Sequence, residues 1–560
     1  MKKQLLIASL FLGTISMSAQ EEESTEIKKE DVVVEFSFSP TLSNVFKLKS
    51  TPNPTQEFPK KKVTYKINSK EVPSDFVPVA KKAVYVSVDD DKAPNYANYV
   101  YGAAGLYGNG EFELMLRPET SRKGYLFGVD LSSYNAQKGI EDERVNNGQW
   151  NANAGVFLAK EDRNYDWIGK LNYNRNQIHW YGLDENILAS IYENQEVMQL
   201  YNTVDFSGAL FFNKAAVKSV TPSIQFFSDD YNSSEIKLGI GTVLDKSLFK
   251  DFIELQVDLE YLNGSFDQNY AGDAAVNYSF INVGLTPKYE YQAKSFQLRA
   301  ALGLFANIDQ EASKSNFIFL PNIQTDILLL ENIMTMHAGI RSELNQNSYA
   351  SLVKQNPWIS PTQTIKTSQT PVDVFLGLEG KLTKTVSYNT EISYQQTKDK
   401  VLFVHNNDVS GSVLAYQMGN SFRAIYDDVN VFSFKGTIES KFYEAFTGGV
   451  TGVFNSYSLD QEDEAWNLPN FTLETYANYT KGKFFGQLGL NFVGGRKDFV
   501  ELEKVDVDGF VDINLKTAYK INDKLNVHIN VYNLLSNNYE SYITYQVQGF
   551  QALGGLSYKF

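Results

Sequence analysis

Leu525-Asn526-Val527-His528-Ile529-Asn530-Val531-Tyr532 alternates apolar and polar side chains. Successive side chains of an extended strand point to opposite faces. Leu525, Val527, Ile529 and Val531 therefore share one face, and Asn526, His528, Asn530 and Tyr532 share the other. The turn residues Asn522-Asp523 separate this strand from one in which Val511, Ile513 and Leu515 alternate with Asp512, Asn514 and Lys516. The pattern recurs upstream. Ile253, Leu255, Val257, Leu259 and Tyr261 alternate with Glu254, Gln256, Asp258 and Glu260. Val386, Tyr388, Ile392 and Tyr394 alternate with Ser387, Asn389, Glu391 and Ser393, after a strand carrying Val372, Val374, Leu376 and Leu378 and a turn at Thr383-Lys384.

Two environments accept such strands: a sandwich with one wet face, or a membrane barrel with one face in lipid. The connections favour the barrel. Tight turns at Asn213-Lys214, Asp245-Lys246, Ala293-Lys294, Glu331-Asn332, Thr383-Lys384, Lys481-Gly482 and Asn522-Asp523 alternate with long polar stretches near 134–148, 181–198, 262–276, 344–370, 395–422, 456–469, 494–509 and 536–546. Short turns on the periplasmic rim and long loops outside are the pattern of an outer-membrane barrel. The fold class expected is all-β, a transmembrane antiparallel β-barrel of roughly 20–22 strands. It would occupy residues 97–560, with residues 97–107 and 110–117 forming a glycine-rich hairpin.

A Lys or Arg facing lipid at mid-bilayer costs ~2–4 kcal/mol, and an acid somewhat less. Several acids on one strand face would sum to a prohibitive penalty. Glu254, Asp258, Glu260, Glu391, Asp512 and, by its strand parity, His528 are therefore expected to line the lumen. There they either border a cation path or simply meet water in a wide pore.

Composition agrees. The 560 residues include 34 Tyr, 38 Phe and 5 Trp, 14% aromatic, yet no segment after the N-terminus is apolar for long enough to cross a bilayer as a helix. A formal charge of −15 disfavours nucleic acid as a partner. The start, Met-Lys-Lys-Gln followed by the apolar run Leu5 to Ile15 and the small residues before Gln20, reads as a secretory signal peptide over 1–20. No cysteine is present, so neither a disulfide nor an acylated-cysteine anchor is available. Residues 21–96 open with a charged stretch, then hold the short strand candidates Asp31 to Phe38, Val63 to Ile67 and Ala83 to Val88 around a proline- and lysine-rich loop. This segment is too small for a large core and is expected in the periplasm or the lumen.

The segment Asn530-Val531-Tyr532-Asn533-Leu534-Leu535-Ser536-Asn537-Asn538-Tyr539 resembles the penultimate strand of TonB-dependent receptors. Leu468-Pro469-Asn470-Phe471 and the closing Leu553-Gly554-Gly555-Leu556-Ser557-Tyr558-Lys559-Phe560 are similar to that family as well. The resemblance is specific over 468–560 and a matter of pattern over 97–467. It implies a wide outer-membrane barrel of ~22 strands with a plugged lumen, acting in transport or ligand binding. It also implies that Leu556, Tyr558 and Phe560, on one face of the last strand, form the signal read by the barrel-assembly machinery. Residues 21–96 depart from the family, being shorter than its N-terminal plug; Asp31-Val32-Val33-Val34 resembles its TonB-contact box only faintly and is equally well a strand.

Catalytic chemistry is not legible. His179, His337, His405 and His528 show no metal-ligand spacing, and no Gly-x-Ser-x-Gly, Walker or dinucleotide loop occurs. No catalytic residue, metal or cofactor is expected. Two readings follow: a receptor-like barrel that binds or moves a ligand, and a non-transporting accessory subunit bound to other outer-membrane proteins in a barrel-assembly or secretion complex. The loop from Asn347 to Pro361, rich in aromatics and proline, is either a docking surface or a loop that packs on its neighbours.

Overall fold

The computed structural model describes residues 98–117, 124–140, 144–183, 196–213, 215–245, 253–331, 333–409, 411 and 414–560. The expected signal peptide, the segment 21–96 and its contact-box candidate lie outside these residues. The described residues build one 22-stranded antiparallel sheet in which each strand hydrogen-bonds to the next, with two small two-stranded hairpins outside it. It closes where the first strand, Tyr99–Gly105, pairs with the last, Gln551–Lys559, in the register Tyr99 to Lys559 through Gly105 to Leu553. Closure removes the free edges that hydrocarbon cannot satisfy.

The alternation decides the two faces. In the strand Leu525–Tyr532, Ile529 is 56% exposed while the adjacent Asn530 is buried. Around the ring, Leu556, Leu488, Leu376, Ile392, Phe432, Phe434 and Ile438 are likewise exposed large hydrophobes on that outer face. In water this belt would be a severe liability; in a bilayer it is the lipid-facing stripe. The closed barrel and its belt make the chain an outer-membrane protein. No helix among the described residues is long and apolar enough to cross a membrane.

Several strands exceed the sequence expectation. Val386–His405 has 20 residues and Phe422–Tyr443 has 22, against the ~9–11 that span a bilayer. The stretch 395–405, read above as loop, continues the ladder instead, with Val401 opposite Tyr426 and Phe403 opposite Ala424. Its polar composition misleads because above the membrane a strand no longer needs an apolar outer face. The alternation of connection length is also incomplete. Short links join Tyr99–Gly105 to Gly110–Leu116, Val217–Asp229 to Ser234–Leu244, and Phe296–Asp309 to Lys314–Leu330 on the long-loop rim. The second is held by Asp229, whose Oδ1 accepts from the backbone N–H groups of Tyr231 and Ser233, both at 2.9 Å, a side-chain-made turn.

Candidate functional site

The long connections converge. Four of them, with described residues 180–183 and 196–197, 347–366, 406–409 with 414–421, and 533–550, leave the ring between its fifth and sixth, thirteenth and fourteenth, fifteenth and sixteenth, and last two strands. They meet in one cluster in which Trp180, Tyr349, Leu352, Ile359, Phe422 and Tyr545 are fully buried. Trp358 stacks on Tyr545 with ring centroids 4.2 Å apart. Backbone carbonyls take the polar ends of the rings: Trp180 Nε1 donates to Trp358 O at 3.2 Å, Tyr201 Oη to Pro357 O at 2.8 Å, and Tyr181 Oη to Gln546 O at 2.8 Å. Asn420 Nδ2 donates to Trp180 O at 2.8 Å. The loop Asn347 to Pro361 thus packs on its neighbours and forms the centre of a cap across the barrel mouth.

The short helix α1, Tyr349–Gln355, is the seat of that cap. Ser348 caps it, accepting from Ser351 N at 3.1 Å while Ser351 Oγ accepts from Ser348 N at 2.9 Å. Two acids of the wall hold it in place. Glu235 accepts from the N–H of Tyr349 at 2.6 Å, the N–H of Ala350 at 3.2 Å and the hydroxyl of Tyr278 at 2.6 Å. Asp229 Oδ2 accepts from the Tyr349 hydroxyl at 2.8 Å. A buried carboxylate is tolerable only with such donors.

A second tie is the hairpin Arg496–Val500 and Glu503–Val507. Its Asp498 is fully buried and accepts from His405 N at 3.1 Å, Asn467 Nδ2 at 2.8 Å and Phe499 N at 2.7 Å. Burial pushes its carboxyl up to about 6, against the opposing pull of these donors and of Arg423.

Between the cap and one side of the wall lies a cavity of ≈ 450 Å³. Glu111, Tyr134, Asp512, Asn514 and Tyr532 border it from the strands; Trp358, Tyr539 and Gln548 border it from the connections. Glu111 is fixed as an acceptor by the hydroxyls of Tyr101 at 2.7 Å and Tyr532 at 2.6 Å. Asp512 Oδ2 accepts from Asn514 Nδ2 at 2.8 Å, while its buried Oδ1 has no hydrogen-bond partner. Tyr539, stacked on Phe510 at 3.8 Å, has its hydroxyl pushed up to about 12 by burial and then by the Asp512 charge.

The other residues singled out from sequence are dispersed. Glu254, Asp258 and Glu260 share a strand face with the buried Leu262 and Phe266, the latter packing on Tyr349 at 4.8 Å. Lys218 meets Glu254 at 2.7 Å and Lys237 meets Glu260 at 3.0 Å. Asp258 accepts from Gln256 at 2.8 Å. Arg341 bridges Glu391 and Asp373, both at 2.8 Å, with its guanidinium 4.0 Å from the centroid of Phe375. His528 bonds Ser557 Oγ at 2.8 Å and lies edge-on to Tyr101 at 5.2 Å. Leu556, Tyr558 and Phe560 are exposed on one side of the closing strand. Of the four histidines only His179 borders the cavity, and of the acids expected in the lumen only Asp512 does. Its companion Glu111 was missed, although the alternating Glu111-Phe112-Glu113-Leu114 carried the same signal. No group of three or more potential metal ligands occurs among the described residues.

Comparison with known proteins gives fold but not family. No family model matches the chain, and no curated protein matches it. Solved structures do. The FrpB iron transporter from Neisseria meningitidis matches with a TM-score of 0.61 at 11% identity, over 83% of this chain and 81% of that one. The siderophore receptor PirA from Acinetobacter baumannii matches with a TM-score of 0.59 at 12% identity, over 83% and 80%. The copper transporter OprC matches with a TM-score of 0.58 at 12% identity, over 83% and 80%. The chain therefore has the fold of the TonB-dependent receptor barrels that its last strands resemble.

Proposed function

We propose that this protein is a receptor-like outer-membrane barrel that binds or transports a ligand, closed at its outer mouth by its own connections and lacking a full N-terminal plug. The observation that carries the reading is the capped cavity: connections from around the ring are tied together by buried rings, and they leave a bounded space against the wall. In this reading residues 1–20 are removed on export, residues 21–96 lie in the periplasm or the lumen, and 97–560 form the barrel. Glu254, Asp258, Glu260, Glu391, Asp512 and His528 line the lumen, where paired bases and amides offset the acids rather than leaving a bare cation path. Leu556, Tyr558 and Phe560 serve recognition by the assembly machinery. No catalysis is assigned.

The test is conductance in planar bilayers. The intact chain is expected to give no large steady current. Deletion of 21–96 is expected to raise conductance if that segment fills the lumen, and removal of the loop 347–361 to raise it if the cap is the seal. A large steady current from intact protein would overturn the closed-receptor reading. The cap also favours a second reading, because connections packed on one another across the mouth suit an accessory subunit. Stable co-purification with other outer-membrane proteins in mild detergent, with no ligand bound, would decide for that one.

A further inference from the structure

One stretch of the wall has an open edge. The strand Lys314–Leu330 pairs with Phe296–Asp309 from Lys314 opposite Asp309 to Ile327 opposite Phe296. On its other side, the ladder to Met334–Gln346 runs only from Ile323 opposite Ile340 down to the lower turn. From Lys314 to Asn322, no second strand pairs with it among the described residues. We propose that this edge is a docking site for an extended segment of another polypeptide, which adds one strand at the outer rim of the wall. The inference goes beyond the ligand-binding reading and does not rest on it.

The edge is open because the neighbouring strand leaves the wall. Its pairing with Thr367–Lys381 is bulged between Arg341 and Glu343, and a bulge bends its strand. At its end Gln346 is buried, and its Oε1 accepts from Asn282 Nδ2 at 3.1 Å and from Thr367 Oγ1 at 2.7 Å. Asn282 belongs to Val276–Gln292, three strands away round the ring, so the end of Met334–Gln346 has turned into the lumen. At the branch point the backbone is satisfied locally. Pro321 has no N–H to leave unpaired, and the Asn322 amide exchanges two bonds with the backbone of Ser342, Nδ2 to O and N to Oδ1, both at 3.0 Å. Above it, Ser315-Asn316-Phe317-Ile318-Phe319-Leu320 holds no proline and no charge, the usual defences of a free edge.

The side chains beside this edge are equally unprotected. Phe317 is 80% exposed and Phe319 65%, while the inward Ile318 and Leu320 are buried. At ~3.3 Å per residue and a tilt of ~40°, Phe319 and Phe317 stand about 28 and 33 Å above the strand's lower end at Leu330. That is where the ~30 Å hydrocarbon layer ends. An aromatic girdle at the lipid boundary would account for the rings but not for the unpaired ladder beside them.

The unpaired N–H and C=O groups define the occupant. Acyl chains offer them no hydrogen bond, whereas an extended backbone offers donors and acceptors at the matching spacing. A second copy does not fit. Two copies in one membrane are related by an axis along its normal, which sets a strand tilted by ~35–45° against one tilted equally the other way. The two edges would cross at roughly twice that angle instead of pairing. A separate segment is free to take the required tilt, with apolar side chains on its outer face against Phe317 and Phe319.

The test uses the full chain in lipid nanodiscs. The chain has no cysteine, so Lys314→Cys carries a single thiol. A peptide of alternating valine and threonine is tethered to it through a terminal cysteine, which supplies a high effective concentration. Hydrogen exchange over 315–320 is expected to slow by at least ~10-fold. The same peptide N-methylated throughout, which has no N–H to donate, should leave exchange unchanged. Tethering at Ser234→Cys, at the outer end of a strand paired on both sides, should slow nothing there. Phe317→Ser with Phe319→Ser should remove most of the protection while the barrel keeps its heat-modifiable mobility on gels. Equal protection by the two peptides overturns the proposal, as does protection unaffected by the double substitution. Slow exchange over 315–320 before any peptide is added shows the edge already covered and overturns it as well. A dimer in native mass spectrometry that the double substitution dissolves assigns the edge to a second copy and overturns the choice of a foreign strand. None of these results bears on conductance, by which the receptor reading stands or fails separately.

Discussion

The wall and the cap of this barrel use the same residue types under opposite rules. In the wall, Ile529 and Leu556 are more than half exposed because their solvent is hydrocarbon. In the cap, Trp180, Tyr349, Ile359, Phe422 and Tyr545 are wholly enclosed because theirs is water. The wall satisfies its backbone by ladder pairing, so its side chains need only alternate. The cap has little ladder of its own and must satisfy carbonyls and amides one at a time. It does so with Trp, Tyr and Asn side chains reaching across connections far apart in sequence. The wall's stability is therefore distributed, whereas that of the cap is concentrated in a few rings and two acids.

The largest effect expected from this contrast is Trp180→Ala, at ~3–5 kcal/mol against the cap. Limited proteolysis should show the connections newly cut while the barrel keeps its heat-modifiable mobility on gels; loss of both together would mean that wall and cap are a single cooperative unit. Next comes Ile529→Arg, ~2–4 kcal/mol by depth in the membrane, measured as denaturant-dependent unfolding in vesicles. Asn526→Arg, three positions nearer the turn and on the other face, should cost little, and equal costs would erase the distinction between the two wall faces. Glu235→Ala strips α1 of its carboxylate and leaves the Tyr278 hydroxyl unpaired, which should cost ~1–3 kcal/mol and speed hydrogen exchange at Tyr349 and Ala350.

The smallest effect is a pH dependence. The folded-state carboxyl of Asp498 titrates near 6, above the ~3.9 of an unfolded chain. Folding thus favours its protonated form. The hairpin 496–507 is expected to hold more firmly at pH 5 than at pH 7, its stability falling as pH rises from about 4 to about 6 and levelling off above that. Asp498→Asn should abolish this slope in hydrogen exchange at Phe499; an unchanged slope would assign it to another group.

The wall was legible because a period of two survives in a single sequence. Residues 253–261 and 525–532 declare their faces without reference to any partner, and the turn at Thr383-Lys384 appears where it was read. The loop at 395–405 was misread because polarity marks a loop only while a strand has an apolar environment to match; beyond the membrane it has none. The candidate site was half legible. Asp512 carried a parity signal, but the reason it borders the same cavity as Glu111 is that barrel closure brings strands from opposite ends of the chain to one side of the ring. Tyr532 was read only as a residue on the polar face, with nothing to mark it as the partner of Glu111.

The sequence by itself determined the architecture: alternation, turn spacing and an aromatic-rich composition fix an antiparallel membrane barrel, since backbone sterics alone assign side chains to faces. Tertiary structure decided the cap, the cavity beneath it and the pairing of the lumen's charges. Those depend on contacts such as Trp180 to Asn420 and Tyr181 to Gln546, between residues whose separation along the chain leaves no periodic trace and which only ring closure brings within reach.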